Sequence, residues 1–134
     1  SNALPNILLA EQSRMSQLIA KFFFIGLGCQ LDIATTGWQA LQKINTTDYD
    51  LILMSMTLPD IDACAVSSMI RNSSRSCKQT PIIALSNKAN TKECEKACEA
   101  GMSDYYSMPL TEQACQTIIN EHLIAHNFCT AQGQ

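Results

Sequence analysis

Four short stretches of this 134-residue chain carry side chains able to do chemistry: Glu11-Gln12-Ser13, Ser55 with Asp60 and Asp62 behind it, Ser86 to Lys88, and Ser107 to Pro109. Carboxylates such as Glu11, Asp60 and Asp62 offer oxygen to a hard divalent ion. The hydroxyls of Ser55 and Ser86 are weak nucleophiles unless a base activates them, and no histidine lies near Ser55 in sequence. Met108 neither donates a hydrogen bond nor neutralises an anion. A second set lies further along the chain. Cys94 and Cys98 are four apart, as are His122 and His126. On a helix each pair shares a face. Together they have the ligand types of a Cys₂His₂ zinc set. Nothing in the sequence makes the two helices turn those faces toward each other, so they are read as helix-face thiols and solvent-exposed imidazoles. Lys92 and Lys96, beside Cys94, are the cations placed to activate a thiol there.

The elements that must position these groups follow from hydrophobic spacing. Asn6–Ala10, Leu51–Met54 and Pro81–Leu85 are short apolar runs suited to strands buried on both faces. Cys29, Leu31 and Ile33 alternate with polar neighbours, as a half-buried strand does. Tyr105-Tyr106 makes a brief fifth strand. Met15, Leu18, Ile19 and Phe22 are spaced as one helical face, and Gly26 and Gly28 end that helix. Thr36 to Gln39 has capping-box spacing and opens a helix through Trp38, Leu41 and Ile44, with Trp38 expected in the core. Further helices carry Cys64, Val66, Met69 and Ile70, then a short stretch capped by Asn90 and Glu93, then Ala114, Ile118, Ile119 and Leu123. Residues 71–80 are polar and read as a flexible connection.

Near-continuously apolar strands alternating with helices predict an α/β domain: a five-stranded parallel sheet, doubly wound, with helices on both faces. Chemistry in such folds sits at the carboxyl ends of the strands. That is where the four stretches fall. The domain is expected over residues 4–126. Ser1-Asn2-Ala3 reads as a protease-cleavage scar and residues 127–134 as a tail or linker.

Over about residues 5–126 the chain resembles the receiver domain of two-component signalling proteins, most closely those of hybrid sensor histidine kinases. The segments that carry the resemblance are N-I-L-L-A-E-Q, D-Y-D-L-I-L-M-S-M-T-L-P-D-I-D-A, T-P-I-I-A-L-S-N-K-A and E-A-G-M-S-D-Y-Y-S-M-P-L, in order and correctly spaced. The resemblance implies a flavodoxin-like (βα)₅ fold like that of the chemotaxis receivers. It also implies transfer of a phosphoryl group from phosphohistidine to an aspartate, assisted by Mg²⁺, a hydroxyl and a lysine. Metal and lysine offset charge on the transferring group.

Residue by residue, the chain departs from that pattern. Ser55 stands at the acceptor position, so no acyl phosphate forms there. The acidic pair is Glu11 with Gln12. Met108 replaces the lysine before Pro109, and Ala63 stands where the family usually has glycine. Ser86 keeps the switch hydroxyl and Tyr105 the aromatic switch position. Glu11 is a weak candidate for a metal, and Mg²⁺ binding is expected to be weak or absent. The losses compensate one another, since a lysine without phosphate or aspartate would be a lone buried cation.

Three functions follow. The first is a degenerate receiver, not itself an enzyme, that docks on a histidine kinase, phosphotransfer or output domain through the fourth-helix to fifth-helix face. A homodimer is compatible with it. The second is a working phosphoreceiver with Asp60 or Asp62 as substitute acceptor. The third is a small-molecule or flavin binder, which the lack of a glycine- or threonine-rich phosphate loop after the first strand counts against. Composition narrows the rest. Nine basic against twelve acidic residues give no nucleic-acid footprint, and no apolar run is long enough to span a membrane. The seven cysteines are odd in number and contain no C-x-x-C pair, which predicts free thiols in a cytoplasmic domain, mostly in small buried positions.

Overall fold

A computed structural model describes residues 4–124. The expected scar, His126 and the expected tail lie outside the described residues. The elements are β1 (Asn6–Ala10), α1 (Arg14–Gly26), β2 (Gln30–Ala34), α2 (Gly37–Thr46), β3 (Leu51–Ser55), α3 (Ala63–Arg71), β4 (Ile82–Ser86), α4 (Thr91–Glu99), β5 (Asp104–Ser107) and α5 (Glu112–Ile119). The strands form one parallel sheet in the order β2-β1-β3-β4-β5. The period-2 rule sorts their side chains into two cores. Leu8, Ala10, Ile52, Met54, Ile82 and Ala84 pack beneath α2, α3 and α4. Ile7, Leu9, Leu51, Leu53, Ile83 and Leu85 pack beneath α1 and α5. Both faces are covered, which is why these strands lack polar alternation.

The helix starts follow their capping residues. Ser13, Thr36, Asp62, Asn90 and Thr111 each accept a backbone N–H two or three residues on. Gly28 and Gly101 take left-handed φ of 91° and 93° just past α1 and α4, where a side chain would be strained. Gly37 serves a different purpose. A Cβ there would lie 2.2 Å from the Ile61 side chain, so glycine is what lets α2 begin against the loop after β3.

Two apolar expectations are overturned. In α1 the inward face is Gln17, Ala20 and Phe24, while Met15, Leu18, Phe22 and Ile25 stand exposed as a stripe. Trp38 is 56% exposed and lines a groove of about 440 Å³ with Leu41 of α2 and Met69 of α3. A helix seated on a sheet buries whichever face fits, and the small Ala20 and Ala40 allow close approach.

The segment 71–80 is not a loose connection. It holds a 3₁₀ turn at Ser76–Gln79, and Arg71 is its anchor. The Arg71 guanidinium donates to the carbonyls of Lys78 (3.0 Å), Thr80 (2.7 Å) and Gly101 (2.8 Å).

Candidate functional site at the strand ends

Sheet register brings the predicted stretches together. Ala10 pairs with Met54, Ser55 with Leu85, and Ser86 with Ser107. Glu11, Ser55, Ser86 and Met108 therefore line one rim. Glu11, Ser55 and Ser86 are 5%, 4% and 2% exposed, so their polar atoms must find partners within the protein.

Each does so locally. One Glu11 carboxylate oxygen accepts the N–H of Ser13 at 2.9 Å, and the Glu11 carbonyl accepts from the Gln17 amide at 2.8 Å. The Ser55 hydroxyl donates to the Thr57 carbonyl (3.2 Å) and accepts the Thr57 N–H (3.1 Å), closing the turn after β3. That turn leaves Ser55 no activating base. Gln12 is exposed. Met108 packs on the apolar side formed by α1 and α5.

Ser86 leads to a residue that sequence reasoning missed. Its hydroxyl accepts the N–H groups of Lys88 (3.0 Å) and Ala89 (3.1 Å) and donates to the carboxylate of Glu93. The same Glu93 oxygen accepts the Tyr105 hydroxyl at 2.7 Å. Desolvation first, and then Glu93, raises the Tyr105 phenol pKa. The capping-box spacing marks Glu93 as a partner for Asn90. Asn90 does accept the Glu93 N–H at 2.8 Å, but the Glu93 side chain turns inward and ties Ser86 to Tyr105. The available signal was position: Glu93 lies one turn into the helix that leaves β4.

Asp60 and Asp62 are both engaged as caps. Asp60 reaches across to α2 and accepts the N–H groups of Gly37 (2.8 Å) and Trp38 (3.0 Å). Asp62 accepts the Cys64 N–H at 2.7 Å at the head of α3. Desolvation acts to raise the Asp60 pKa, but the surrounding N–H donors outweigh it and hold the carboxyl below its ordinary range. A lowered folded pKa means that the link is complete above the unfolded value and is lost as pH falls through the folded one. The amide signals of Gly37 and Trp38 are expected to titrate together, with a midpoint below that of an unperturbed aspartate. NMR between neutral pH and strong acid checks this, and Asp60→Asn removes the titration.

The readings of the cysteines and histidines also meet the geometry. Among the described residues, Cys94 and Cys98 belong to no cluster of three metal-ligating groups. The His122 imidazole is not solvent-exposed: its side chain is 16% exposed and bonded to Asp104 at 2.9 Å. The six described cysteines are free, with only Cys29 and Cys115 buried. Burial pushes the Cys115 thiol up to about 12 and also raises Cys29 and Cys64, which opposes thiolate chemistry at these positions.

A parallel sheet in the order 2-1-3-4-5, with functional groups at its carboxyl ends, defines a flavodoxin-like doubly wound domain. The sequence profile described as "Response regulator receiver domain" matches residues 7–120, and the chain belongs to that family. It is 31% identical over 122 residues to the sensor protein EvgS of Escherichia coli O157:H7, covering 90% of this chain and 10% of EvgS. It is also 31% identical over 121 residues to the hybrid signal transduction histidine kinase G of Dictyostelium discoideum, covering 87% of this chain and 3% of that protein. The transcription factor SKN7 of Candida albicans is 28% identical over 128 residues, 92% of this chain and 22% of SKN7. The chain thus spans about a fifth or less of these relatives' length. Among solved structures, the receiver domain of a Pseudomonas aeruginosa PAO1 sensor histidine kinase, with a magnesium ion coordinated in its active site cleft, superposes with a TM-score of 0.82. Its identity is 30%, covering 90% of this chain and 98% of that one. The chemotaxis response regulator CheY4 of Vibrio cholerae, at 17% identity and a TM-score of 0.84 over 90% of this chain and all of that one, shares the fold. This is a receiver domain of two-component signalling, and no described helix is long and apolar enough to cross a membrane.

Proposed function

We propose that this receiver domain works without phosphorylation, as a cytoplasmic docking module of a hybrid sensor kinase or response regulator. Its partners are the kinase, phosphotransfer or output domains of the same signalling system. The observation that carries the reading is that the strand-end groups already serve one another. Ser55, at the acceptor position, closes its own turn, and Glu93 holds both Ser86 and Tyr105. Glu11 is the one carboxylate at the ends of β1 and β3, with Gln12 beside it, and Met108 brings no charge. Such a set binds Mg²⁺ weakly or not at all and gives no stabilisation to a transferring phosphoryl group. The domain by itself is not an enzyme.

The docking surface that this reading favours differs from the fourth-helix to fifth-helix face implied by the family resemblance. Met15, Leu18, Phe22 and Ile25 form a continuous exposed apolar stripe on α1. Contiguous exposed apolar patches are a feature of interaction surfaces, and a partner protein domain is the occupant that this reading gives the stripe.

Incubation with a small acyl-phosphate donor and Mg²⁺, followed by intact-mass measurement, tests the reading. The expected result is no phosphoryl addition. Addition that disappears in Asp60→Asn or Asp62→Asn would overturn it and identify a substitute acceptor.

A further inference from the structure

A second constellation lies away from the strand-end rim, at the amino end of the edge strand β5. Asp104 opens the edge strand β5. Its Oδ1 accepts the N–H of Tyr105 at 2.9 Å, and its Oδ2 lies 2.9 Å from Nε2 of His122. Glu121 Oε2 lies 4.0 Å from the same nitrogen. One donor atom from each of the three residues falls within 4.8 Å of the others.

The local backbone explains why two neighbours in sequence converge on one carboxylate. α5 does not end as a regular helix but widens into a π-type turn at Asn120–Ile124. Successive residues of an α-helix point about 100° apart, and the wider turn reduces that divergence. From this turn His122 bonds to Asp104, and Glu121 places a carboxylate oxygen within 4.8 Å of both. The imidazole and the Asp104 carboxylate are largely shielded, with side chains 16% and 29% exposed, whereas Glu121 is 58% exposed and completes the set from the solvent side.

We propose that Asp104, Glu121 and His122 form a binding site for a borderline divalent transition metal of the zinc type. One imidazole and two carboxylates are donors that such ions accept, and three protein donors leave coordination positions open. At zinc–nitrogen and zinc–oxygen bond lengths near 2.0–2.2 Å, tetrahedral donors stand about 3.3–3.5 Å apart. His122 Nε2 lies 2.9 Å from Asp104 and 4.0 Å from Glu121, and all three donors lie within 4.8 Å of one another, so side-chain adjustment admits the ion. The ion takes the place of the hydrogen bond between His122 Nε2 and Asp104, with the ring proton carried on Nδ1. Two carboxylates beside one imidazole are donors to a cation, not to an anion. Mg²⁺ is a poor fit, because it prefers oxygen-only, near-octahedral coordination. Binding would fasten the end of α5 to the sheet edge.

The test is calorimetric titration of the 134-residue chain with Zn²⁺ at neutral pH, with histidine-ring NMR in parallel. One saturable ion that shifts the His122 ring signals is expected. His122→Gln should weaken binding by roughly 100-fold or more, since even outer-shell losses cost 10- to 100-fold. The exposed Glu121→Gln, which leaves the shielded pair intact, should weaken it about tenfold. Cys94→Ser with Cys98→Ser should leave it unchanged, and Mg²⁺ should give no titration. Absence of Zn²⁺ binding would overturn the proposal. So would binding that survives both His122→Gln and Glu121→Gln, binding lost with the two cysteines, or equal binding of Mg²⁺.

Discussion

The combined variant Gln12→Asp, Ser55→Asp and Met108→Lys is expected to bind Mg²⁺ with beryllofluoride saturably, while the natural sequence binds neither. The adduct mimics an aspartyl phosphate and needs the carboxylate that Ser55 lacks. It also needs charge compensation from metal and lysine. Register favours the restoration, because residues 11, 55, 86 and 108 already share one rim of the sheet. Glu93 adds a further expectation. It places a carboxylate on the Ser86 hydroxyl, which would otherwise turn to the phosphoryl mimic. Adding Glu93→Gln to the triple variant is expected to tighten adduct binding about tenfold, the size of effect that follows from removing one nearby like charge. Amide NMR titration reads all three proteins. Saturable shifts around residues 11, 55 and 86 in the natural sequence would contradict the proposed function, and equal binding with and without Glu93→Gln would remove the role given to Glu93.

The largest expected loss of stability outside the apolar core comes from Arg71→Ala. The side chain donates to three carbonyls, joining the end of α3 to the segment before β4 and to the turn before β5. A hydrogen bond to a charged group contributes about 1.5–3 kcal/mol, and the three are not additive. Removal of the guanidinium is expected to cost about 3 kcal/mol, or a fall in Tm of roughly 10 °C for a domain of this size. Arg71→Lys should recover little, because one ammonium cannot span carbonyls that the planar fork reaches together. Thermal and urea unfolding of the three proteins decide the matter. A loss below about 1 kcal/mol for Arg71→Ala would mean that water replaces these contacts.

The chain's own pattern was enough for much of this structure. Apolar runs such as Leu51–Met54 mark strands buried on both sides. Thr36 and Asn90 mark helix starts through short-range hydrogen bonds, and Gly28 marks a helix end. These signals depend on neighbours a few residues away. The strand-end positions of Glu11, Ser55, Ser86 and Met108 followed from the same alternation of elements. What the tertiary structure alone decided depends on partners distant in sequence. Met15 and Phe22 look as fit for a core as Ala20 and Phe24, and packing on the sheet chose the latter. Asp60 became the cap of a helix 22 residues before it, because Gly37 admits the loop after β3. Glu93 satisfied Ser86 and Tyr105 in preference to closing its own capping box, since a buried hydroxyl is costlier to leave unpaired than an exposed helix end. His122 meets Asp104, 18 residues away, from the widened turn that ends α5 beside the edge of the sheet. Local periodicity states which element forms. Close packing and the need to pair every buried polar atom state which face it turns inward and what it touches.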